Sequence, residues 1–361
     1  MQPTKERRIV KFWHWMGRHR PWVLAVVGLV AILSEAAVTY AILQQPMPTI
    51  APIVVKAKPK PIEPPKYYSP LTGMLVPDDA TTHQTVTAIM IENSPDARPQ
   101  SGLKQAGIVY EAIAEGGITR FLALYQEAKP QLIGPVRSLR MYYLQWATPY
   151  QPAIAHVGGS AAALSEVRNG NYRDLDQFFN GSYYWRSTDR YAPHNVYTSF
   201  AKLDALEQAK GYTTSTFTGF PRVDGKPDAA PNATSIAINF SGPLYNTHYD
   251  YDAASNTYLR SVAGEAATDR EDGRIAPSVV IAMKVDMSLV MQDGYREDIP
   301  TSGSGEADIF QNGTVSVVTW RKDSPTGPLE FYDSAGNEIS LDRGQTWIAA
   351  VPNGSGSVSW Q

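Results

Sequence analysis

The sequence contains no cysteine. It therefore has no disulfide, no zinc–thiolate site, no thiol nucleophile and no cysteine to carry a lipid. It also has no broad excess of positive charge, since 32 Lys and Arg stand against 35 Asp and Glu, for a net charge of −3. Nucleic-acid binders usually concentrate basic residues, so this balance predicts no nucleic-acid partner.

Sequence signatures of common enzyme classes are missing as well. The chain has no G-x-S-x-G elbow, no H-E-x-x-H motif, no Walker loop, no kinase signature and no dinucleotide fingerprint. The sequence accordingly predicts no metal site and no cofactor. Apolar residues make up 43% of the chain, with 8 Trp, 20 Tyr and 10 Phe, which is enough to build a core.

One long apolar run follows a basic N-terminus. Residues 1–20 hold six basic residues and one acid, and residues 21–43 are apolar except for a few positions such as Glu35. At about 1.5 Å per residue, Trp22 to Leu43 would span roughly 33 Å as a helix, enough to cross the hydrocarbon layer. Alternatives are a cleaved signal peptide and a buried soluble helix. The length and the flanking charge favour a single-pass signal anchor with a cytoplasmic N-terminus and an extracytoplasmic remainder.

Beyond the anchor, the composition changes twice. Residues 44–66 contain seven prolines and predict an extended linker without helix. Residues 67–228 alternate strand-like and helix-like stretches, and residues 229–361 contain only short strand-like stretches separated by turn residues. The predicted fold class is α+β, with a mixed α/β domain followed by a smaller β-rich domain.

Three stretches carry a family resemblance: residues 91–126, 133–160 and 190–199. They resemble the YerB-like family of bacterial envelope proteins, and the tail 344–352 is similar to that family's C-terminal part. The resemblance spans roughly residues 68–352. It implies a membrane-tethered extracytoplasmic protein with a mixed α/β domain and a β domain. Family members are often anchored by a lipidated cysteine, for which the transmembrane helix would substitute here. The resemblance implies no settled activity.

An arginine group is the first candidate site. Arg137 and Arg140 lie in GPVRSLR, where a helix is expected to begin near Ser138, and Arg120 lies on a preceding strand. Unpaired N–H groups at a helix start, together with guanidinium groups, would bind a carboxylate or phosphate. The alternative is a structural ion-pair network with nearby glutamates.

Two histidines are the second candidate group. His156 ends an apolar strand ahead of a Gly-Gly-Ser loop in which Ser160 begins a helix. Ligands often bind at this edge of an α/β sheet, although a buried His156 and a helix-capping Ser160 are the structural alternatives. His194 lies in RYAPHNVYT, a polar loop in which Arg190 and Asn195 would contact a sugar or carboxylate.

A third group lies in NSPDARPQSG, where Asn93, Arg98 and Gln100 follow a buried strand. An Asx turn explains Asn93 without a ligand, whereas Arg98 and Gln100 predict ligand contact.

Two functions fit these groups. The first is a module that binds an anionic cell-envelope component or a peptidoglycan enzyme through an Arg/His-lined site. The second is an envelope hydrolase or transferase that acts on peptidoglycan or a related glycan, with Glu111 or Glu115 and His156 or His194 as acid and base. Four residues apart on one strand, the two glutamates would share a face roughly 13 Å apart, too far for a glycosidase pair. The sequence therefore favours binding.

Overall fold

The computed structural model describes residues 5–46, 65–290 and 297–361. The described residues from 65 onward form one compact unit, and the N-terminal helices form a separate one. Most of the predicted linker 44–66 lies outside the described residues.

Six α-helices are present in the described residues. They are α1 (Lys5–Arg18), α2 (Arg20–Leu43), α3 (Asp79–Thr82), α4 (Met141–Ala147), α5 (Ala161–Asn169) and α6 (Phe200–Lys210). The 24 residues of α2 have a mean hydropathy of 2.1 in their most apolar window, and none of that window is buried. This helix is therefore long and apolar enough to cross a membrane.

Fifteen strands form the two larger sheets. They are β1 (Thr87–Glu92), β2 (Ile108–Glu115), β3 (Ile118–Tyr125), β4 (Ala153–Ala155), β5 (Arg173–Asp174), β6 (Ser235–Asn239), β7 (Thr247–Asp252), β8 (Thr257–Val262), β9 (Glu265–Ala266), β10 (Val279–Val285), β11 (Gly303–Gln311), β12 (Thr314–Lys322), β13 (Glu330–Tyr332), β14 (Thr346–Pro352) and β15 (Ser357–Trp360). Shorter pairs of two-residue strands occur outside these sheets.

The larger sheet has ten strands in the order β13-β12-β11-β10-β14-β2-β3-β1-β4-β5, and the smaller has five in the order β9-β8-β7-β6-β15. Strand β14, near the C-terminus, pairs in parallel with β2, so Trp347 lies opposite Val109. The N-terminal and C-terminal regions therefore contribute to one continuous sheet.

The larger sheet is covered on both faces, as its nearly continuous apolar strands require. One face packs against the five-stranded sheet and α6, through residues such as Phe121, Trp347 and Leu203. The other face packs against α4 and α5, through residues such as Leu122 and Trp146. The predicted fold class, α+β with a mixed region before a β-rich region, is confirmed, and every regular element described between residues 230 and 361 is a strand.

Local signals predicted several elements well. The Gly116-Gly117 pair joins β2 and β3 as a hairpin, and both glycines have positive φ. Ser160 and Ser199 accept a backbone N–H at the start of α5 and α6, as N-cap residues do. Gly211 ends α6 with φ +75°.

One helix start was predicted wrongly. Helix α4 begins at Met141 and not near Ser138, because the preceding residues are extended and bonded elsewhere. Arg137 donates its backbone N–H to Met90 O, and Leu139 donates to Gly158 O. Arg137 therefore lies on a strand-like segment and not at a helix N-terminus.

The expectation that Glu111 and Glu115 share a face is also wrong. The pairing of β2 with β3 shifts register between Ile113 and Glu115, which marks a bulge. An extra residue reverses the alternation of side chains beyond it. Glu111 consequently faces the five-stranded sheet, whereas Glu115 lies with Arg140 at the start of α4.

Candidate functional site

Two of the predicted site residues, Arg137 and His194, lie close together at the carboxyl end of β1. Val136 donates its N–H to Val196 O at 2.7 Å, and Arg137 donates to Met90 O at 2.8 Å. The end of β1, the segment that carries Arg137 and the strand that follows His194 therefore lie side by side. These contacts join residues that are 47 and 60 positions apart in sequence.

A buried carboxylate organises this edge. Glu92, the last residue of β1, is 3% exposed. Its Oε1 lies 3.1 Å from Arg137 Nε, 3.0 Å from His194 Nδ1 and 3.1 Å from Ser94 Oγ. Its Oε2 is buried and has no hydrogen-bond partner in the described residues. We call Glu92, Ser94, Arg137 and His194 the Glu92 cluster.

Arg137 directs the outer part of its guanidinium group away from Glu92. Its Nε lies 3.1 Å from Glu92 Oε1 as an ion pair without an aligned hydrogen bond, and its two terminal amino groups make no hydrogen bond within the described residues. The side chain is 23% exposed. Two parallel N–H groups on a planar guanidinium match the two oxygens of a carboxylate or phosphate. This geometry suits anion binding.

His194 is oriented by the same carboxylate. Its Nδ1 contacts Glu92 Oε1 and also lies 3.1 Å from Ser94 Oγ. Its Nε2 lies 3.9 Å from the exposed Asp96 carboxylate, which is beyond hydrogen-bond distance. With Nδ1 occupied, Nε2 is the ring nitrogen available to a bound molecule or to water.

Arg190 and Asn195 hold the loop around His194. Arg190 donates to Asp96 O and Pro99 O, at 3.2 and 2.6 Å. The Asn195 amide donates to the carbonyls of Ser187 and Arg190. Both side chains therefore position the loop.

The Asn93 group forms the other side of the 93–101 loop. Arg98 donates to Asn93 O and Leu244 O, at 2.9 and 2.8 Å, and Gln100 donates to Glu92 O and Asn93 Oδ1. Burial, with the neighbouring charge of Arg260, lowers the pKa of Arg98 below its ordinary value. This arginine borders a cavity of about 340 Å³ that faces the five-stranded sheet.

Glu111 is enclosed by donors. It is fully buried, and its oxygens accept from Thr119 Oγ1 at 3.0 Å, Arg260 Nη2 at 2.9 Å and Trp347 Nε1 at 2.9 Å. The Asn93 amide lies 3.3 Å away. A carboxylate so fully satisfied and so far from solvent is a structural ion-pair partner.

The second predicted glutamate, Glu115, lies between two arginines. Arg120 contacts it at 3.0 Å and donates to Ser138 O, and Arg140 contacts it and donates to Leu139 O. Burial opposes ionisation of Glu115, but the two guanidinium groups outweigh it and hold its pKa below the ordinary value. Arg120 and Arg140 thus belong to a structural network, the alternative that the sequence left open.

His156 and Ser160 also have structural partners. His156 is fully buried, with Nε2 at 3.0 Å from Asp174 Oδ1 and Nδ1 at 2.7 Å from Gly158 O. Burial of Asp174 is outweighed by its contacts with His156, so its pKa lies below the ordinary value. Ser160 caps α5. None of these groups is placed to receive a ligand.

Sequence reasoning missed Glu92 and Ser94. A signal for Glu92 was present in the sequence, because the apolar strand TAIMIE, which is predicted to be buried, ends in an acid. In the structure every residue of this strand is buried. A buried carboxylate needs a charged or hydrogen-bonding partner, and such a partner must come from elsewhere in the chain. The two predicted residues Arg137 and His194 are those partners.

Comparison with known proteins finds two matches to one family. Residues 71–213 match the family described as "Protein of unknown function (DUF3048) N-terminal domain", and residues 236–348 match the corresponding C-terminal domain. The chain is 34% identical over 296 residues to a Bacillus subtilis (strain 168) protein named "Putative lipoprotein YerB", covering 80% of this chain and 87% of that one. It also resembles the crystal structure of YerB protein from Bacillus subtilis, with a TM-score of 0.72 and 31% identity, covering 81% of this chain and all of that one.

Proposed function

This chain belongs to the YerB-like family of DUF3048 proteins, and from that premise we propose that it is a membrane-tethered module that binds an anionic group of the cell envelope. The binding group is the Glu92 cluster, with Arg137 as the primary anion ligand and His194 beside it. The bound group would be a carboxylate or phosphate of a wall component, or of a cell-wall enzyme that docks at the same place.

One observation supports this proposal above the others. Four of the arginines predicted as site residues each donate a hydrogen bond from a terminal amino group to a protein oxygen: Arg98, Arg120, Arg140 and Arg190. The terminal amino groups of Arg137 make no hydrogen bond within the described residues, and the ion pair of its Nε with the buried Glu92 restricts the position of the guanidinium group. A guanidinium group fixed in this way loses little side-chain entropy on binding.

We expect Arg137→Ala to reduce binding to isolated cell-wall sacculi by about tenfold or more, because a charge-assisted hydrogen-bond pair contributes about 1.5–3 kcal/mol. Arg137→Lys keeps a positive charge beside Glu92 but loses the paired amino groups, so we expect it to bind weakly and to fold normally. Co-sedimentation of the full chain in a mild detergent measures this, with inorganic phosphate as competitor.

Arg321→Ala is the matched control, since Arg321 is a half-exposed arginine that pairs with Glu330 on the β-rich side. Wild-type binding by both Arg137 variants would exclude the Glu92 cluster as the anion site. If binding depends on Arg137 but follows envelope proteins and not sacculi, the anionic partner is a protein.

The topology that we propose is a single pass through α2, with the basic N-terminus in the cytoplasm and residues from 65 onward outside. Protease treatment of intact cells should then release a fragment that begins within residues 44–66, the proline-rich segment. Mass spectrometry of the released material measures this. A fragment that appears only after cells are permeabilised would reverse the orientation.

A second candidate function is hydrolysis or group transfer on a wall glycan. It is favoured by the contact of Glu92 with His194 Nδ1, which leaves Nε2 directed outward as in a general base. In this case Glu92, and not Glu111 or Glu115, is the orienting carboxylate. Release of soluble fragments from sacculi, lost in Glu92→Gln and His194→Ala, would support catalysis over binding alone.

A further inference from the structure

One cavity lies away from the Glu92 cluster, beside α6. It has a volume of about 420 Å³. The lining residues come from three parts of the N-terminal region: Gln84, Thr85, Lys129, Asp204, Glu207, Gln208, Tyr212 and Thr213. No residue predicted from the sequence as a site residue lines this cavity.

Glu207 is a buried acid on the wall of this cavity. It lies on α6 and is 3% exposed. Thr87 of β1 donates to its Oε1 at 2.7 Å. Its Oε2 accepts no hydrogen bond within the described residues and is not among their fully buried, unpartnered side-chain atoms, and Glu207 lines the cavity, so this oxygen is open to a molecule in the cavity. A carboxylate that is almost wholly surrounded by protein but open on one side to a cavity is a place where a donor from a ligand or from water completes the hydrogen bonding.

Glu207 forms no ion pair with a basic side chain among the described residues, although two bases lie in its neighbourhood. Lys129 pairs with Asp204 at 2.9 Å and lies over the Phe200 ring, so these two charges balance each other. Arg173 lies 5.8 Å from the centre of the Tyr212 ring and donates to the carbonyls of Gln151 and Thr214, so its charge acts on Glu207 without a direct contact. Among the lining residues, Glu207 is therefore the acid without a paired base, and the natural counterpart of such an acid is a cation.

We propose that this cavity binds an aliphatic primary ammonium group, with Glu207 as the anionic partner. An ammonium group has three donors. Glu207 Oε2 would accept one, and the side-chain oxygens of Gln84 and Gln208 are the available acceptors for the others. The Tyr212 ring would cover the aliphatic stem of the ligand. This site is independent of the Glu92 cluster.

Binding should be linked to a proton. Burial raises the pKa of Glu207 to about 7, although the Thr87 hydroxyl, Lys129 and Arg173 partly oppose this rise and Asp204 adds to it. Ligand binding requires the ionised carboxylate. A bound ammonium group stabilises that form, so binding near neutral pH should release a proton to the buffer.

The test is calorimetric titration of the full chain, in a mild non-ionic detergent, with n-butylamine hydrochloride. We expect affinity to rise about tenfold between about pH 6 and about pH 8, as the ionised fraction of Glu207 rises. Titration at about pH 7 in buffers of different ionisation heat should show about half a proton released for each ligand bound. Butan-1-ol, the uncharged analogue, should not bind measurably.

Glu207→Gln should lower the affinity for butylamine about tenfold and remove its pH dependence, whereas Glu166→Gln, a change at an exposed acid on α5, should alter neither. Equal affinity at both pH values, binding of butan-1-ol as tight as that of the amine, or wild-type binding by Glu207→Gln would each overturn the proposal. If Glu207→Gln does not fold, proton release by the wild-type chain still decides the question.

Discussion

Arg260→Ala is expected to lower the free energy of unfolding by about 3–5 kcal/mol, because it leaves the Glu111 carboxylate buried without a cation. Arg260 is 2% exposed, contacts Glu111 Oε2 at 2.9 Å and lies 4.5 Å from the centre of the Trp347 ring. Glu111 lies on β2 and Arg260 on β8, so this pair joins the ten-stranded sheet to the five-stranded sheet. Urea unfolding followed by tryptophan fluorescence measures the loss.

Two comparisons identify the cause of that loss. Arg321→Ala removes an exposed arginine from its pair with Glu330, and it should cost less than about 1 kcal/mol. The double variant Arg260→Met with Glu111→Gln removes both buried charges and should recover much of the stability lost in Arg260→Ala. A loss in Arg260→Ala no larger than in Arg321→Ala would show that the ion pair does not hold the sheets together.

The second large effect is expected from Glu207 as pH rises. Its pKa is about 7 in the folded protein, against an ordinary value of 4.5, so the folded state keeps this proton longer than the unfolded state. Rising pH then favours unfolding. The free energy of unfolding should fall by about 3 kcal/mol between about pH 4.5 and about pH 8, and change little from this group outside that window.

Glu207→Gln should flatten this part of the profile and be more stable than wild type at about pH 8, with little difference near about pH 4.5. Urea unfolding across this range measures both curves, and Glu166→Gln serves as the exposed control. A wild-type profile parallel to that of Glu207→Gln would mean that Glu207 ionises in the fold as it does in water. Asp174 and Glu115 have lowered pKa values and act in a different window, since the stabilisation that they contribute is lost as pH falls below their ordinary pKa values.

The secondary structure of this protein was largely predictable, and the site was not. Helices α5 and α6 could be placed because a serine cap, an apolar face and a glycine lie within each short segment. The β2–β3 hairpin followed from two strand-like runs around Gly116-Gly117. Each of these signals acts over a few residues, so no knowledge of the rest of the chain is needed.

The predictions that were wrong depend on contacts between residues far apart in the sequence. The segment before α4 is extended because Arg137 and Leu139 bond to Met90 and Gly158, which lie on other elements. Glu115 changed face because a bulge forms where β2 pairs with β3. Neither the extended segment before α4 nor the bulge in β2 has a strong local signature, since both depend on which strands become neighbours.

By itself, the sequence determined an apolar N-terminal helix, an α+β fold class, membership of a family and a short set of polar residues that includes Arg137 and His194. Only the tertiary structure decided which carboxylate each of them meets. Composition and periodicity act locally, whereas a charge buried in a sheet is satisfied by whichever partner the strand order brings within about 3 Å. In this protein the strand order places Arg260 beside Glu111, and it places Arg137 and His194 beside Glu92.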